Sequence, residues 1–141
     1  MKQLKTDLIV LCDYALISQE GKLSINGIFD ELRVQKFPGG FIDKYLVATI
    51  HGEPNTPYKL DVKLEKKNTE KNLLNPTSIS PVTSANGKNN LVIRLANVGF
   101  EKEGEYRFVI YDGKNEVGST LLRVMLLELG QLNQEIYKMP N

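Results

Sequence analysis

The chain has 141 residues, with 18 basic and 17 acidic side chains and a net charge of +1. That balance gives no general attraction to nucleic acid or to an anionic membrane surface. Its single cysteine excludes an intrachain disulfide framework and suits a reducing compartment. A domain of this length buries roughly 70% of its unfolded surface around one core. The expectation is therefore one domain over 1–141, with a polar loop region at 68–90 and a short C-terminal tail at 128–141.

Near the start, Lys2 and Lys5 precede Leu8-Ile9-Val10-Leu11-Cys12, which imitates the leader of an acylated lipoprotein. The apolar run is only five residues long, Asp7 interrupts its approach, and Leu11 is too large for the residue before a cleavage site. A secretory core needs about 7–15 apolar residues and a spanning helix about 20. The run reads instead as a buried first strand continuing to Ile17, in a cytoplasmic protein with no membrane partner. Gln19-Glu20-Gly21-Lys22 is a turn, so Leu8–Ser18 and Leu23–Gln35 are expected to pair as a long hairpin. Gly27 inside the second arm points to a bulge or bend.

Phe37-Pro38-Gly39-Gly40-Phe41 forms an irregular loop with two aromatics, followed by an apolar strand from Tyr45 to His51. Between Tyr58 and Lys66, the residues Tyr58, Leu60, Val62 and Leu64 alternate with Lys59, Asp61, Lys63 and Glu65. Such a strand has one dry and one charged face and lies on the outside of a sandwich or near a sheet edge. The region 68–90 is rich in Asn, Ser, Thr, Pro and Lys, with Leu73-Leu74 and Ile79 with Val82 able to add one short strand.

Leu91, Ile93 and Leu95 resume period-2 alternation, Asn97 to Gly104 breaks it, and Tyr106, Phe108 and Ile110 take it up again. Asp112-Gly113-Lys114-Asn115 is a hairpin turn, because Gly and Asn tolerate positive φ. In the last strand Val117, Ser119, Leu121, Arg123 and Met125 share one face, and Leu122, Val124 and Leu126 the other. From Leu121 to Leu127 this strand is apolar on both faces. Either it is central in its sheet or its outer face is covered by another chain. Leu127, Leu129, Leu132 and Ile136 permit a helix that Gly130 breaks, which reads as a turn-rich tail.

Two resemblances rest on these residues. Leu91-x-Ile93, Val98 and Glu103-Gly104-Glu105-Tyr106-Arg107-Phe108 resemble strand E, the E–F corner and strand F of an immunoglobulin-type domain. In that family a Tyr at this corner hydrogen-bonds back to upstream backbone, two positions before a disulfide cysteine. Phe108 stands at that position here, and the chain has no Trp, so the disulfide-and-tryptophan core is absent. The resemblance implies an all-β fold, an immunoglobulin-like antiparallel β-sandwich of about seven to nine strands. In addition, Cys12-Asp13-Tyr14-Ala15, Gly21-Lys22-Leu23-Ser24-Ile25 and Gly27-Ile28-Phe29-Asp30, with Phe37-Pro38 and Tyr45-Leu46-Val47-Ala48, resemble a family of small bacterial proteins of unknown function. That resemblance implies no activity.

Candidate chemistry is sparse. His51 and Glu53 could point the same way from a strand and share a proton or metal, but a lone His-x-Glu lacks a third ligand or a nucleophile. No P-loop, Gly-x-Ser-x-Gly, His-Glu-x-x-His, Cys-x-x-Cys or dinucleotide pattern occurs. Cys12 sits among apolar neighbours and reads as a small hydrophobe. Asp13 interrupts an apolar strand, and buried there it must accept backbone hydrogen bonds or pair with a Lys or Arg. Asp30 and Glu31 are read in the same way. Asp7, Asp13, Asp30, Asp43 and Asp112 lack the spacing that brings several oxygens from one loop to Ca²⁺. Lys59, Lys63, Lys66, Lys67 and Lys71 are nearly cancelled by Asp61, Glu65 and Glu70, and Tyr58 faces away from Lys59 and Lys63, which argues against nucleic acid.

The reading is a non-catalytic protein-interaction module without cofactor, with a protein partner or self-association as a homodimer. Its contacts are expected through Phe37, Phe41, Leu122, Val124 and Leu126. The alternative is a small-ligand or carbohydrate-binding module using the end loops; the absence of Trp weighs against carbohydrate. An enzyme ranks third, since no acid, base and nucleophile converge.

Overall fold

The computed structural model describes residues 3–69 and 71–128. The expected tail therefore lies, Glu128 apart, outside the described residues. The strands are β1 (Lys5–Ile17), β2 (Leu23–Phe29), β3 (Glu31–Val34), β4 (Gly39–His51), β5 (Leu60–Lys66), β6 (Thr77–Ile79), β7 (Lys88–Phe100), β8 (Gly104–Asp112) and β9 (Asn115–Leu126). They form a four-stranded sheet, β2-β1-β4-β7, and a five-stranded sheet, β3-β9-β8-β5-β6. The fold is an all-β sandwich, as the alternation of apolar residues requires.

The core lies between the sheets. Leu11, Leu46, Ile50, Ile93 and Phe100 from the first meet Leu60, Leu64, Phe108, Ile110 and Leu122 from the second. Full burial of one such side chain contributes roughly 1.5–3 kcal/mol. The expected turns close the hairpins: Gly113 adopts φ +61 between β8 and β9, and Gly21 φ +82 between β1 and β2. At the β7–β8 corner the Tyr106 hydroxyl donates to the Lys102 carbonyl at 2.7 Å, the backward bond expected of a corner tyrosine.

Several expectations are corrected. The second arm, Leu23–Gln35, does not pair throughout with the first. It bends at Asp30, and residues 31–34 cross to the other sheet as β3, where they run parallel to β9 rather than antiparallel. The Arg123 amide donates to the Asp30 carbonyl at 2.9 Å and fixes the crossing. Gly27 introduces no bulge, for the β1–β2 register continues unshifted past it. Glycine is needed because φ is +73 and a Cβ would run into the Asp13 carboxylate. The bulges lie elsewhere. One is at Asp7 in β1. The other is in β9, where Val117 stands between Gly118, opposite Ile110, and Glu116, opposite Tyr111. The β9 bulge turns Val117 into the core beside Leu122 and Val124, not outward with Leu121.

The region 68–90 is tied down more than its composition implies. Its short strand is β6 (Thr77–Ile79), paired to β5. Val82 bridges to Pro57, and the buried Thr83 hydroxyl donates to the Glu53 carbonyl.

Candidate functional site

Sheet alternation places two apolar layers on the four-stranded sheet. Leu46 and Ala48 of β4, Leu11 of β1 and Ile93 of β7 face the core. Val47, Cys12 and Val92, their neighbours in sequence, belong to a second cluster, with Val10 and Tyr45 packed against it. Direct pairs confirm the shared face: Val10 opposite Val47, Cys12 opposite Tyr45, Val47 opposite Val92, and Cys12 opposite Ile28 across β2. Cys12 and Val47 are fully buried in the centre of this outer face, whereas Tyr14 and Ile28 are 51% and 61% exposed. The Tyr14 and Tyr45 rings meet edge-on with centroids 5.8 Å apart. Polar pairs flank the patch: Thr49 donates to Asn90 at 2.9 Å, and Arg94 pairs with Asp43 at 2.7 Å. Burial pushes the Cys12 thiol up, so it behaves as the hydrophobe expected and not as a nucleophile.

The outer face of the five-stranded sheet is chemically different. Glu65 of β5 is only 2% exposed. One of its oxygens accepts from Arg107 of β8 at 3.2 Å and the other from the Tyr111 hydroxyl at 2.7 Å. Arg107 also reaches Glu116 of β9 at 3.0 Å, and the Lys63 ammonium lies 5.0 Å from the Tyr111 ring centroid. Burial and the bond to Glu65 push the Tyr111 hydroxyl up to about 12. At neutral pH this tyrosine is a held donor, not a base. Both Glu65 oxygens are bonded and the residue is only 2% exposed, so the cluster is a cross-strand lock.

Sequence reasoning missed this network. Glu65 looked like one more charge on a solvated face, and its partners lie 42 and 46 residues away. The available signal was parity alone, since Arg107 and Tyr111 alternate with the apolar residues of β8 just as Glu65 does in β5.

Of the residues expected to form an interaction surface, Leu122 and Val124 are 0% and 1% exposed, and Phe41 is buried against Phe100. These three are corrected to core residues. Leu122 and Val124 face the opposite sheet from a central strand flanked by β3 and β8, whereas Leu121 on its outer face is 46% exposed. Phe37 is half-buried against the core, and only Leu126 keeps an exposed side chain, at 41%. Asp13 is exposed, not buried; it forms an ion pair with Lys44 at 2.6 Å. His51 meets Asp7 at 2.9 Å across the β1–β4 pair, through the register shift at the Asp7 bulge, and not Glu53. Among the described residues no three His, Cys, Asp or Glu side chains gather where a metal could be held, and no helix is long and apolar enough to cross a membrane.

A family model of proteins of unknown function, DUF6941, matches residues 7–125. The chain belongs to this family. Membership carries no activity with it, as the resemblance at Cys12–Ala15 and Gly21–Ile25 implied. No curated protein matches the sequence. Among solved structures, the chain is similar to the β-glucosidase of Listeria innocua, at 12% identity and a TM-score of 0.49 over 89% of its length. It is also similar to a GH3 β-glucosidase of Bifidobacterium adolescentis, at 8% identity and a TM-score of 0.48 over 87%. It spans only 16% and 17% of those two chains.

Proposed function

We propose that this family member is a non-catalytic protein-interaction module that docks its partner on the outer face of the four-stranded sheet. One observation supports the reading above others. In a two-layer sandwich the outer face of an antiparallel sheet is ordinarily polar, yet here Cys12 and Val47 are buried with Val10, Tyr45 and Val92 packed against them, and Leu8, Tyr14 and Ile28 are exposed apolar residues of the same face. An apolar centre with a polar rim is the anatomy of a protein interface, and exposed tyrosine is a favoured anchor in one. Of the β9 surface expected from sequence, Leu122 and Val124 are spent on the core and Leu126 alone stays exposed. A second copy of the chain meets the chemical requirement as well as an unrelated protein does.

The test is affinity capture of the tagged chain from its native cells, wild type beside a Tyr14→Glu/Ile28→Glu double variant. Both side chains are more than half exposed, so the variant is expected to fold, and its circular dichroism spectrum checks that. A stoichiometric companion, an untagged copy included, is expected with the wild type and lost with the variant. Retention by the variant, or a wild-type bait that stays alone, overturns the reading.

A further inference from the structure

A cavity of about 500 Å³ opens where the end of β5, the segment after it and the β7–β8 corner meet. Its apolar wall is Leu73 with the buried Phe100 and Tyr106. Lys66, Lys71 and Lys102 reach it from three separate segments, with Thr69 between the first two. No ion pair is formed by any of these three lysines among the described residues. Lys22, Lys44, Lys67, Arg94, Arg107 and Arg123, by contrast, each have a carboxylate within 4.0 Å. Among the described lining residues Glu101 is the one acidic side chain, against three lysines.

The walls are built, not incidental. The Thr69 amide and hydroxyl both donate to the Lys66 carbonyl, closing a turn in which Asn68 adopts φ +69. The Asn72 side chain accepts from the Leu64 amide at 3.1 Å and the Leu74 amide at 3.0 Å, and the Leu73 amide donates to the Leu64 carbonyl at 2.7 Å. Asn72 and Leu73, next to Lys71, are thus held against β5 before any ligand arrives. On the far wall the Tyr106 hydroxyl is engaged by the Lys102 carbonyl, which fixes that corner and leaves only the ring to line the cavity.

We propose that this cavity binds a small phosphate monoester, its dianion set among Lys66, Lys71 and Lys102 and its apolar group against Leu73, Phe100 and Tyr106. Three lysines converging on one cavity suit an anion, and a volume of this size suits a small organic ligand. Ammonium groups without carboxylate partners offer charge-assisted hydrogen bonds to phosphate oxygens. The site shares no residue with the docking face and stands whether or not that reading survives.

The experiment is a titration of the full chain with phenyl phosphate, followed by amide NMR and calorimetry, with inorganic phosphate in parallel. Saturable shifts are expected at Thr69, Lys71, Gly99 and Lys102, weakening as salt is raised. In a Lys71→Ala/Lys102→Ala variant, both positions being exposed, affinity is expected to fall roughly tenfold or more, since two of the three charge-assisted donors to the phosphate are removed. Three results overturn the proposal: no saturation by about 10 mM phenyl phosphate, a Kd far weaker than any built site gives; an unchanged Kd in the variant; or inorganic phosphate binding as tightly as phenyl phosphate.

Discussion

Tyr106 shows how much one side chain at a corner can fix. Its ring packs on Phe100, with centroids 4.8 Å apart, while its hydroxyl reaches back to the Lys102 carbonyl. The two contacts clamp the turn between β7 and β8, where Gly104 takes a φ of +155. Tyr106→Phe keeps the ring and deletes the hydrogen bond. A loss of about 1 kcal/mol in urea unfolding is expected, the usual net worth of one such bond; an unchanged midpoint would detach the corner from stability. The clamp was legible in Glu103-Gly104-Glu105-Tyr106, because a local signature records a local contact. Asp13 was not. A carboxylate within an apolar stretch reads as buried, but β1 and its partner outrun the core there, and Asp13 meets Lys44 in solvent. Strand composition records neighbours along the chain, not where the opposing sheet stops.

At the level of elements, β5, β8 and β9 are joined on their outer face by Glu65, Arg107, Tyr111 and Glu116. The two ion pairs of Arg107 are unequal. Glu65 is desolvated, whereas Glu116 is 42% exposed in its side chain and well screened. Arg107→Met strands a buried carboxylate on Tyr111 alone, and breaking a buried pair in this way costs about 3–5 kcal/mol. Because Arg107 itself is part-exposed, the lower end of that range is expected. Glu116→Ala leaves the Glu65 pair intact and is expected to cost under about 1 kcal/mol. Chemical denaturation of both variants measures the difference, and equal losses would mean that Glu65 is not the member that needs its partner. The alternation of β5 was legible; this lock was not, because it depends on register between segments some forty residues apart. The same limit hid the role of β9. Apolar residues on both faces left a central strand and a docking strand equally open; pairing with β3 makes β9 central, while Leu121 on its outer face stays exposed.

The whole molecule is closed on one side by a contact between its two sheets that no local pattern announces. Thr6 of β1, beside the Asp7 bulge, lies against Gly118 of β9, beside the Val117 bulge, and the Thr6 hydroxyl reaches the Val117 carbonyl at 3.4 Å. Both strands kink where they approach, which brings backbone close to side chain: a Cβ on Gly118 would stand 3.0 Å from the Thr6 Cβ and closer still to its hydroxyl and methyl. The φ of Gly118 is not in the left-handed region, so the requirement for glycine here is steric alone. Gly118→Ala is therefore expected to cost about 1–3 kcal/mol, the range for overpacking. Thr6→Ala alone removes one long, part-buried hydrogen bond and is expected to cost under about 1 kcal/mol. If the clash is the cause, Thr6→Ala recovers part of the loss when combined with Gly118→Ala, because the two atoms nearest the new methyl are gone. A double-mutant cycle in urea reads that coupling directly. Strict additivity would show that Gly118 is needed for the path of β9 and not for its approach to β1.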